Sequence, residues 1–275
     1  MGLGARGQGL GTDAATARHD LTDSERERYS RHLLLPGFGE AGQRRLLDAR
    51  VLIVGLGGLG SPVAMYLAAA GVGELLLADF DAVDLSNLQR QILHTYDRVG
   101  RSKVDSAMDT LRALNPGPSL VPVKGALNAE RLAALAGRVD LICDCSDNFA
   151  TRDAVNAACV AAGIPLVSGA AIRTEGQLAC FSGRPGEPCY RCLYPDIGVG
   201  GETCAREGVL APLVGIIGSM QAAEAIKILA GVGEPLFGRL LLLDALTMDW
   251  RSLTVPADPG CAVCGRPAEE LFKNN

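Results

Sequence analysis

The stretch VLIVGLGGLG, residues 51–60, joins a short apolar run to a glycine-rich turn. Four consecutive apolar residues are typical of a strand that is buried on both faces of a parallel sheet. The turn matches the pattern G-x-G-x-x-G through Gly55, Gly57 and Gly60, and a helix is predicted to follow it. Glycines let the backbone approach a phosphate, and a helix N-terminus offers free N–H groups. The stretch therefore predicts the nucleotide-binding start of an α/β fold.

Strands and helices are predicted to alternate over the first part of the chain. Short apolar runs predict the strands, and periodic segments with polar caps predict the helices. The strands are 51–54, 75–78, 120–123, 139–143 and 165–168, and the later helices are 103–114, 128–136 and 148–162. This order predicts a Rossmann-like, mostly parallel sheet with helices on both faces.

The pattern changes after about residue 170. Segments 177–181 and 240–243 have the composition of strands and predict a second, partly antiparallel C-terminal layer. The helix predicted between them, 212–230, is hydrophobic nearly all round. We therefore expect this helix in the core or at a subunit interface.

The N-terminal segment is expected to differ from the rest. Residues 1–20 are rich in Gly, Ala and Arg without a continuous apolar core, which favours a disordered tail over a signal peptide. Thr22 followed by Glu25 has the spacing of a capping box. A short helix is expected to begin there and to carry Arg31.

The composition limits the classes of function. The 275 residues carry a formal net charge of −5, which gives no general attraction to nucleic acid or to an anionic membrane. No uncharged apolar run of about 18 residues predicts a membrane span. We expect a cytoplasmic protein, in which clustered cysteines indicate a metal or catalysis before disulfides.

Charged residues after the second strand narrow the choice of ligand. Asp79 follows Gly60 by 19 residues (79 − 60), where a ribose-binding acid is expected. The glycine turn and Asp79 alone fit a nicotinamide-dependent oxidoreductase equally well. Asn87, Arg90 and Lys103 favour a nucleoside triphosphate, because its phosphates need paired cations. The alternative is that Arg90 and Lys103 are solvated surface charges. The chain has no P-loop sequence, so it is not a P-loop ATPase.

Two C-x-x-C units, CYRC and CAVC, supply two pairs of thiols. Paired thiolates on tight turns complete closed, structural zinc sites. The predicted zinc ligands are Cys189, Cys192, Cys261 and Cys264. The alternative is two unrelated or redox-active pairs.

The other cysteines have different contexts. Cys204 lies in a loop beside Arg206, where the cation would favour the thiolate, so it is a candidate nucleophile; a small buried hydrophobe is the alternative. In the sequence CDCSDN, Cys143 and Cys145 are expected to finish a buried strand and its turn. The functional residue of that sequence is expected to be Asp147, at the junction of strand and helix.

Together these motifs resemble the family of ubiquitin-activating-enzyme-like adenylyltransferases that serve sulfur carriers, the HesA/MoeB/ThiF family. The resemblance covers about residues 22–265. It rests on RYSRHLLLPGFG, GLGGLG, ADFDAVDLSNLQRQ, GRSKV, CDCSDN, the Cys204 loop, APLVGIIGSMQAAEAIKIL and the two C-x-x-C units. It implies one domain over residues 21–275, with a nucleotide-binding part at about 50–170 and a carrier-binding and zinc part at about 171–266.

The resemblance also implies an activity. ATP and the C-terminal Gly-Gly carboxylate of a ubiquitin-like sulfur carrier would give an acyl-adenylate and pyrophosphate. Asp79 would hold the ribose, and Arg90 and Lys103 would neutralise the triphosphate with Asn87 beside them. Asp147 would organise Mg²⁺.

Partners are implied in the same way. Arg31 would reach the phosphates of the neighbouring subunit, which makes a homodimer part of the active site. A cysteine desulfurase or a rhodanese is the expected sulfur donor, and in some relatives a cysteine at the position of Cys204 takes part in sulfur transfer. GRLLLLDALTM resembles the molybdopterin-synthase activating branch, which is favoured, whereas CLYPDIGVGGETC resembles the thiamine–thiazole branch. An oxidoreductase and a non-catalytic zinc scaffold stay as alternatives.

Overall fold

The computed structural model describes residues 20–195 and 207–265 of the chain. Its helices are α1 (Asp23–Arg28), α2 (Ser30–Leu33), α3 (Gly39–Asp48), α4 (Gly60–Ala70), α5 (Lys103–Leu114), α6 (Ala129–Ala136), α7 (Phe149–Ala162), α8 (Tyr190–Leu193) and α9 (Ala211–Ala230). Its strands are β1 (Arg50–Val54), β2 (Glu74–Ala78), β3 (Ser119–Val123), β4 (Leu141–Asp144), β5 (Leu166–Ile172), β6 (Glu175–Phe181), β7 (Arg239–Asp244) and β8 (Asp249–Thr254). Short 3-10 helices at Leu85–Asn87 and Tyr96–Arg98 lie between β2 and α5. Apart from Asp20, the predicted tail lies outside the described residues.

The strands form one sheet in the order β3-β2-β1-β4-β5-β6-β7-β8. The first five in this order run parallel to one another, as the alternating pattern predicts. At the centre, Ile53 of β1 is paired with Leu77 of β2 and Cys143 of β4. The chain passes from β1 to β2 on one side and later to β4 on the other, so the strand order reverses at β1. Open α/β sheets bind ligands at the carboxyl ends of the strands at such a point.

The antiparallel strands extend this same sheet. The sequence predicted them in a second layer, but β6 pairs directly with β5 as a hairpin, through a two-residue turn in which Arg173 adopts a φ of +51°. β7 and β8 continue the antiparallel pairing. β8 was not predicted, because its sequence DWRSLT has no apolar run and all six residues are exposed. Backbone pairing with β7 defines it.

Two apolar clusters cover the two faces of the sheet. Val51 and Ile53 lie in the cluster that α3, α4, α5 and α9 complete, whereas Leu52 and Val54 lie in the one that α6 and α7 complete. None of the four is more than 4% exposed. Helices therefore lie on both faces, as predicted.

α9 is the described helix with the length and composition of a membrane span, and half of it is buried inside the fold. It packs against α4 and β5. The buried amide of Gln221 donates to the backbone oxygens of Asp144 and Val167, at 2.9 and 3.3 Å. These bonds join α9 to β4 and β5. α9 therefore lies in the core, which is one of the two locations that the sequence predicts for this helix.

The N-terminal helix begins at Thr22 as predicted, with the capping box to Glu25 complete. It does not carry Arg31, because α1 ends at Arg28 and Arg31 lies on α2. Tyr29 separates the two helices. Its ring is buried and its hydroxyl accepts a hydrogen bond from Nδ2 of Asn115 at 3.0 Å, so the chain turns where this side chain is anchored.

Candidate nucleotide-binding site

The glycine turn after β1 packs closely against its neighbours. Gly55 adopts a φ of +90°, and a Cβ there would lie 2.8 Å from the backbone oxygen of Cys145. A Cβ on Gly60 would lie 1.9 Å from the backbone oxygen of Gly55, so only glycine lets α4 begin this close to the turn. At Gly57 the nearest atom would be 3.4 Å away. The space next to Gly57 is therefore open, and a cleft lies beside it.

That cleft has a volume of about 370 Å³ and lies at the carboxyl ends of the parallel strands. This is the edge at which open α/β sheets bind ligands. The predicted site residues that line it are Gly55, Gly57, Asp79, Arg90, Lys103 and Asp147. Residues that are far apart in the sequence are thus brought into one site.

Asp79 follows β2, and each of its carboxylate oxygens accepts a backbone hydrogen bond. Oδ2 accepts from the N–H of Leu56 at 2.7 Å, and Oδ1 accepts from that of Asp81 at 2.8 Å. These bonds fix the carboxylate and leave a further lone pair on each oxygen. The arrangement suits a group that accepts hydrogen bonds from ligand hydroxyls.

Lys103 begins α5, and Asp81 holds its ammonium group beside the cleft. Nζ lies 2.8 Å from Oδ2 of Asp81, and the lysine side chain is only 5% exposed. Burying a charge this deeply is costly without a partner. Asp81 was not predicted as a site residue, although its position two residues after Asp79 was an available signal.

Arg90 also lines the cleft, and Asn87 orients it. Nη2 of Arg90 donates to Oδ1 of Asn87 at 2.9 Å, and Nη1 donates to the backbone oxygen of Ser86 at 3.3 Å. Asn87, which was predicted to bind the nucleotide, is not among the residues that line the cleft. Its place in the 3-10 helix makes it a support for Arg90 instead.

Gln91 is a cleft residue that was not predicted from the sequence. It is 5% exposed, and its Nε2 faces Gly57. Within the described part of the chain, its Oε1 has no hydrogen-bond partner. Buried polar atoms are nearly always paired, so a ligand group in the cleft is a fitting partner for this amide.

The sequence CDCSDN contributes two inert thiols. Cys143 lies in β4 and Cys145 directly after it, and both are buried. Burial raises the pKa of both thiols, and the charge of Asp144 acts in the same direction. They stay protonated at neutral pH, in agreement with the prediction that they only finish the strand.

Asp144 is fully buried and was not predicted as part of the site. Its Oδ1 accepts from the N–H and the hydroxyl of Ser146 at 3.0 and 2.6 Å, and its Oδ2 accepts from the hydroxyl of Ser168 at 3.3 Å. Arg152, also buried, balances the charge. Burial alone would lower the pKa of Arg152, but the charge of Asp144 opposes this and the pKa is raised.

Asp147 is exposed at the edge of the cleft, where β4 gives way to α7. The buried network of Asp144 precedes it. Asn148 follows and caps α7, its Oδ1 accepting from the N–H of Thr151 at 2.9 Å. An exposed carboxylate in this position is the type of group that holds Mg²⁺ at nucleotide phosphates.

Two walls of the cleft were not predicted, because their residues belong to no sequence motif. Gly125, Ala126 and Leu127, after β3, form one end. The other end is mainly apolar and is formed by Ala170, Ala171, Ile172, Gln177, Val209 and Val214. The pairing of the strands and the packing of α9 against the glycine turn bring these residues together.

The two C-x-x-C units meet in one cluster, as predicted. The four sulfurs lie within 4.8 Å of one another. Sγ of Cys189 lies 3.7 Å from that of Cys261, and Sγ of Cys192 lies 3.3 Å from that of Cys264. These distances are too long for disulfides. A tetrahedral ion with metal–sulfur bonds of about 2.3 Å would place sulfurs about 3.8 Å apart, so the cluster fits a metal ion.

Donors around the cluster favour thiolates. Nδ2 of Asn156 lies 3.6 Å from Sγ of Cys189, and the N–H groups of Asp258 and Val263 lie 3.5 Å from Sγ of Cys192 and Cys261. Such bonds orient metal ligands. Asn156 belongs to α7, so the cluster is fixed to the helix that begins at the cleft.

Three of the described residues that were predicted to form the site, Gly60, Asn87 and Arg31, do not line the cleft. Arg31 is exposed on α2 and is not among the lining residues. Cys204 lies outside the described residues.

The fold and the cleft define a Rossmann-type nucleotide-binding protein. The model of the ThiF family matches residues 29–263, and the chain belongs to this family. The chain is 53% identical to the molybdopterin-synthase adenylyltransferase of Escherichia coli, with 90% of this chain and 99% of that protein covered. It is 46% identical to the sulfur carrier protein ThiS adenylyltransferase of the same organism, with 89% and 97% covered.

A solved structure supports the same grouping. The crystal structure of E. coli MccB with ATP superposes with a TM-score of 0.74 at 27% identity. The match covers 86% of this chain and 74% of that one.

Proposed function

We propose that the protein uses ATP to adenylate the C-terminal Gly-Gly carboxylate of a ubiquitin-like sulfur carrier. One observation carries the proposal: a single cleft joins the glycine turn and Asp79 to two cations, a second acidic group, Asp147, and a mainly apolar end. Relatives named as adenylyltransferases, covered over nearly their whole length, support it. A nicotinamide-dependent oxidoreductase does not need Arg90, Lys103 and Asp147, and the relatives above favour the other class.

ATP would lie along the cleft. Asp79 would accept from the ribose hydroxyls, and the wall of Gly125 to Leu127 leaves room for the base. The phosphates would lie beside the glycine turn, with Arg90 and Lys103 as their cations. Asp147 would hold Mg²⁺, whose charge offsets that of the triphosphate.

The chemistry suits these groups. A carboxylate is a poor electrophile because its leaving group would be oxide. Attack of a carboxylate oxygen on the α-phosphorus forms an acyl-phosphate bond and breaks the bond to pyrophosphate, and the acyl group then carries AMP as a good leaving group. The carboxylate is already ionised at neutral pH, so no general base is required. Arg90 and Lys103 would stabilise the charge that develops on the departing pyrophosphate.

The carrier tail would enter by the mainly apolar end. A Gly-Gly segment has no side chains, so it suits a wall formed by Ala170, Ala171 and Val214. We favour the carrier of molybdopterin synthesis, because the relative of that name is 53% identical and the relative that serves ThiS is 46% identical. The carrier of thiazole synthesis is the alternative.

We propose zinc for the cysteine cluster, because four thiolates in a closed tetrahedral arrangement favour it. The ion would stabilise the C-terminal part and would take no part in the reaction. Metal analysis of the purified protein is expected to give about one zinc per chain. Well under one equivalent in folded protein would contradict the proposal.

A homodimer would complete the site, with Arg31 of one subunit at the phosphates of the other. The exposure of Arg31, away from its own cleft, is compatible with this role. Inactive Arg31→Ala and Asp147→Ala variants are expected to restore part of the activity when mixed as heterodimers. The absence of any rescue would contradict a role of Arg31 in trans.

The remaining proposals concern the surroundings of the reaction. We propose a cytoplasmic protein that receives sulfur from a cysteine desulfurase or a rhodanese. Cys204 would take part in sulfur transfer. Loss of carrier sulfuration in Cys204→Ala, with adenylation unchanged, would support that role, and normal sulfuration would contradict it.

Carrier-dependent exchange of labelled pyrophosphate into ATP tests the central proposal. Arg90→Ala is expected to reduce exchange on the order of 10²–10³-fold. Arg101→Ala is the matched control, because Arg101 pairs with Asp109 and does not line the cleft. Full exchange by Arg90→Ala would contradict the triphosphate role. Thermal stabilisation by NAD(H) but not by ATP–Mg²⁺ would favour the oxidoreductase.

A further inference from the structure

His94 is buried beside the glycine turn, but it does not line the cleft. Its Nε2 lies 2.9 Å from the backbone oxygen of Leu56, and its Nδ1 lies 2.9 Å from the hydroxyl oxygen of Ser106. A backbone oxygen only accepts hydrogen bonds, so Nε2 carries the proton. In the neutral ring, Nδ1 then accepts from the hydroxyl of Ser106.

Leu56 is held on both sides by these contacts. Its N–H donates to Oδ2 of Asp79, and its carbonyl oxygen accepts from Nε2 of His94. Leu56 stands between Gly55 and Gly57, whose own φ and ψ angles are the least restricted of any residue type. The turn is thus fixed at the residue between its first two motif glycines.

Three elements of the phosphate site converge on this imidazole. The glycine turn contributes the Leu56 oxygen. The segment of Arg90 contributes the ring itself, and the N–H of His94 donates to the backbone oxygen of Gln91 at 3.1 Å. α5, which begins at Lys103, contributes Ser106.

The ring is suited to the neutral form that these bonds require. Burial lowers the pKa of His94, and the charges of Lys103 and Arg98 act in the same direction, whereas the bond to Leu56 and the charge of Asp79 oppose them. The neutral Nε2–H tautomer satisfies both contacts at once.

We propose that His94 is a positioning residue that sets the geometry of the glycine turn for the nucleotide phosphates, through the bond from Nε2 to the oxygen of Leu56. This inference rests on the proposed binding of ATP in the cleft. It assigns His94 no contact with the nucleotide. Two quantities therefore have to be measured for each variant: its affinity for the nucleotide and the stability of its fold.

Two conservative variants separate the two bonds of His94. The side-chain nitrogen of Gln reaches about as far as Nε2, so His94→Gln keeps a donor for Leu56. The side chain of Asn ends near the position of Nδ1, so His94→Asn keeps only the contact with Ser106. We expect His94→Gln to bind ATP–Mg²⁺ within about twofold of the unaltered protein, and His94→Asn to bind about tenfold more weakly.

Thr110→Val is the matched control. The hydroxyl of Thr110 donates to the backbone oxygen of Leu93 at 2.9 Å, so the change loosens the same segment from α5 and leaves the bond to Leu56 intact. It is expected to lower the melting temperature and to leave the affinity for ATP–Mg²⁺ unchanged. Calorimetric titration and thermal melts of all variants supply both quantities.

Several outcomes would overturn the proposal. Equal affinity in His94→Asn and His94→Gln would do so, as would an equal loss in Thr110→Val. Nitrogen chemical shifts of His94 in the unaltered protein, which has only 3 histidines, are a second measurement that does not depend on the folding of a variant. They are expected to show a protonated Nε2 and an unprotonated Nδ1, and the reverse tautomer would refute the inference. Absence of ATP binding by the unaltered protein would instead refute the proposed function.

Discussion

β1 and β8 belong to the same sheet, but they are built in opposite ways. Four of the five residues of β1 are buried, whereas all six residues of β8 are exposed. β1 lies among parallel neighbours with helices on both faces, and its carboxyl end opens directly into the cleft. β8 is an edge strand held by backbone pairing with β7. The apolar core therefore holds the ligand-binding edge in place, whereas the far edge of the sheet faces solvent.

The largest expected effect lies at the ligand-binding edge. Asp147→Ala removes the carboxylate proposed to hold Mg²⁺, and pyrophosphate exchange is expected to fall on the order of 10²–10³-fold. Asp140→Ala is the control at the other end of β4, where the carboxylate accepts from the N–H of Arg50. Exchange assays on both variants measure the difference. Full activity in Asp147→Ala would contradict the magnesium role.

A matched pair of leucines tests the comparison of the two strands. Leu52→Ala empties a site that is 0% exposed and is expected to cost about 2–5 kcal/mol in the free energy of unfolding. Leu253→Ala removes the same atoms at a site that is 48% exposed, and should cost below about 1 kcal/mol. Denaturant unfolding measures both. Similar losses would show that the edge strand is as important to stability as the centre.

Asp81→Asn tests how Asp81 holds the ammonium group of Lys103 beside the cleft before nucleotide binds. The change leaves the buried ammonium of Lys103 without its ion pair, and about 1–2 kcal/mol of stability should be lost, because Asp81 is itself half exposed. Phosphates would replace the lost charge, so saturating ATP–Mg²⁺ should narrow the gap between variant and unaltered protein. Thermal melts with and without nucleotide measure this. A gap that nucleotide does not change would place Lys103 away from the phosphates.

The smallest expected effect concerns the core thiols. Burial raises the pKa of Cys143, Cys145, Cys159 and Cys180, so the thiolate fraction at about pH 8 is small and access is blocked. Iodoacetamide should leave these four unmodified in the folded protein. The cluster cysteines should react once a chelator has removed the proposed zinc. Rapid labelling of Cys143, detected by peptide mass spectrometry, would contradict its place in the core.

The sequence predicted the parallel half of the sheet well and the antiparallel half less well. The buried run of β1 and the helix 103–114 could be recognised because burial leaves a continuous apolar pattern and capping residues mark the helix ends. β8 could not, because its side chains face solvent and carry no pattern. The joining of β5 and β6 into one sheet depends on a two-residue turn at Arg173 that has no glycine.

The candidate site also contains residues that the sequence reveals and residues that it does not. Residues of conspicuous chemical type, such as Asp79, Arg90 and the paired cysteines, could be identified from sequence spacing. Supporting groups were harder to identify. His94 has no sequence signal, because its role depends on contacts between distant segments, and Asp81 is indicated only by its position two residues after Asp79. The walls of the cleft were also missed, because alanine and glycine become important there only through their position.

One measurement tests the central claim most directly. The purified protein is offered ATP–Mg²⁺ and, one at a time, a molybdopterin-type and a thiazole-type carrier ending in Gly-Gly, and the mass of each intact carrier is read. Formation of the carrier acyl-adenylate, a gain of one AMP less one water, is the predicted result, with the molybdopterin-type carrier preferred. A carrier that keeps its mass in every mixture, although the protein binds ATP, would contradict the proposed adenylation.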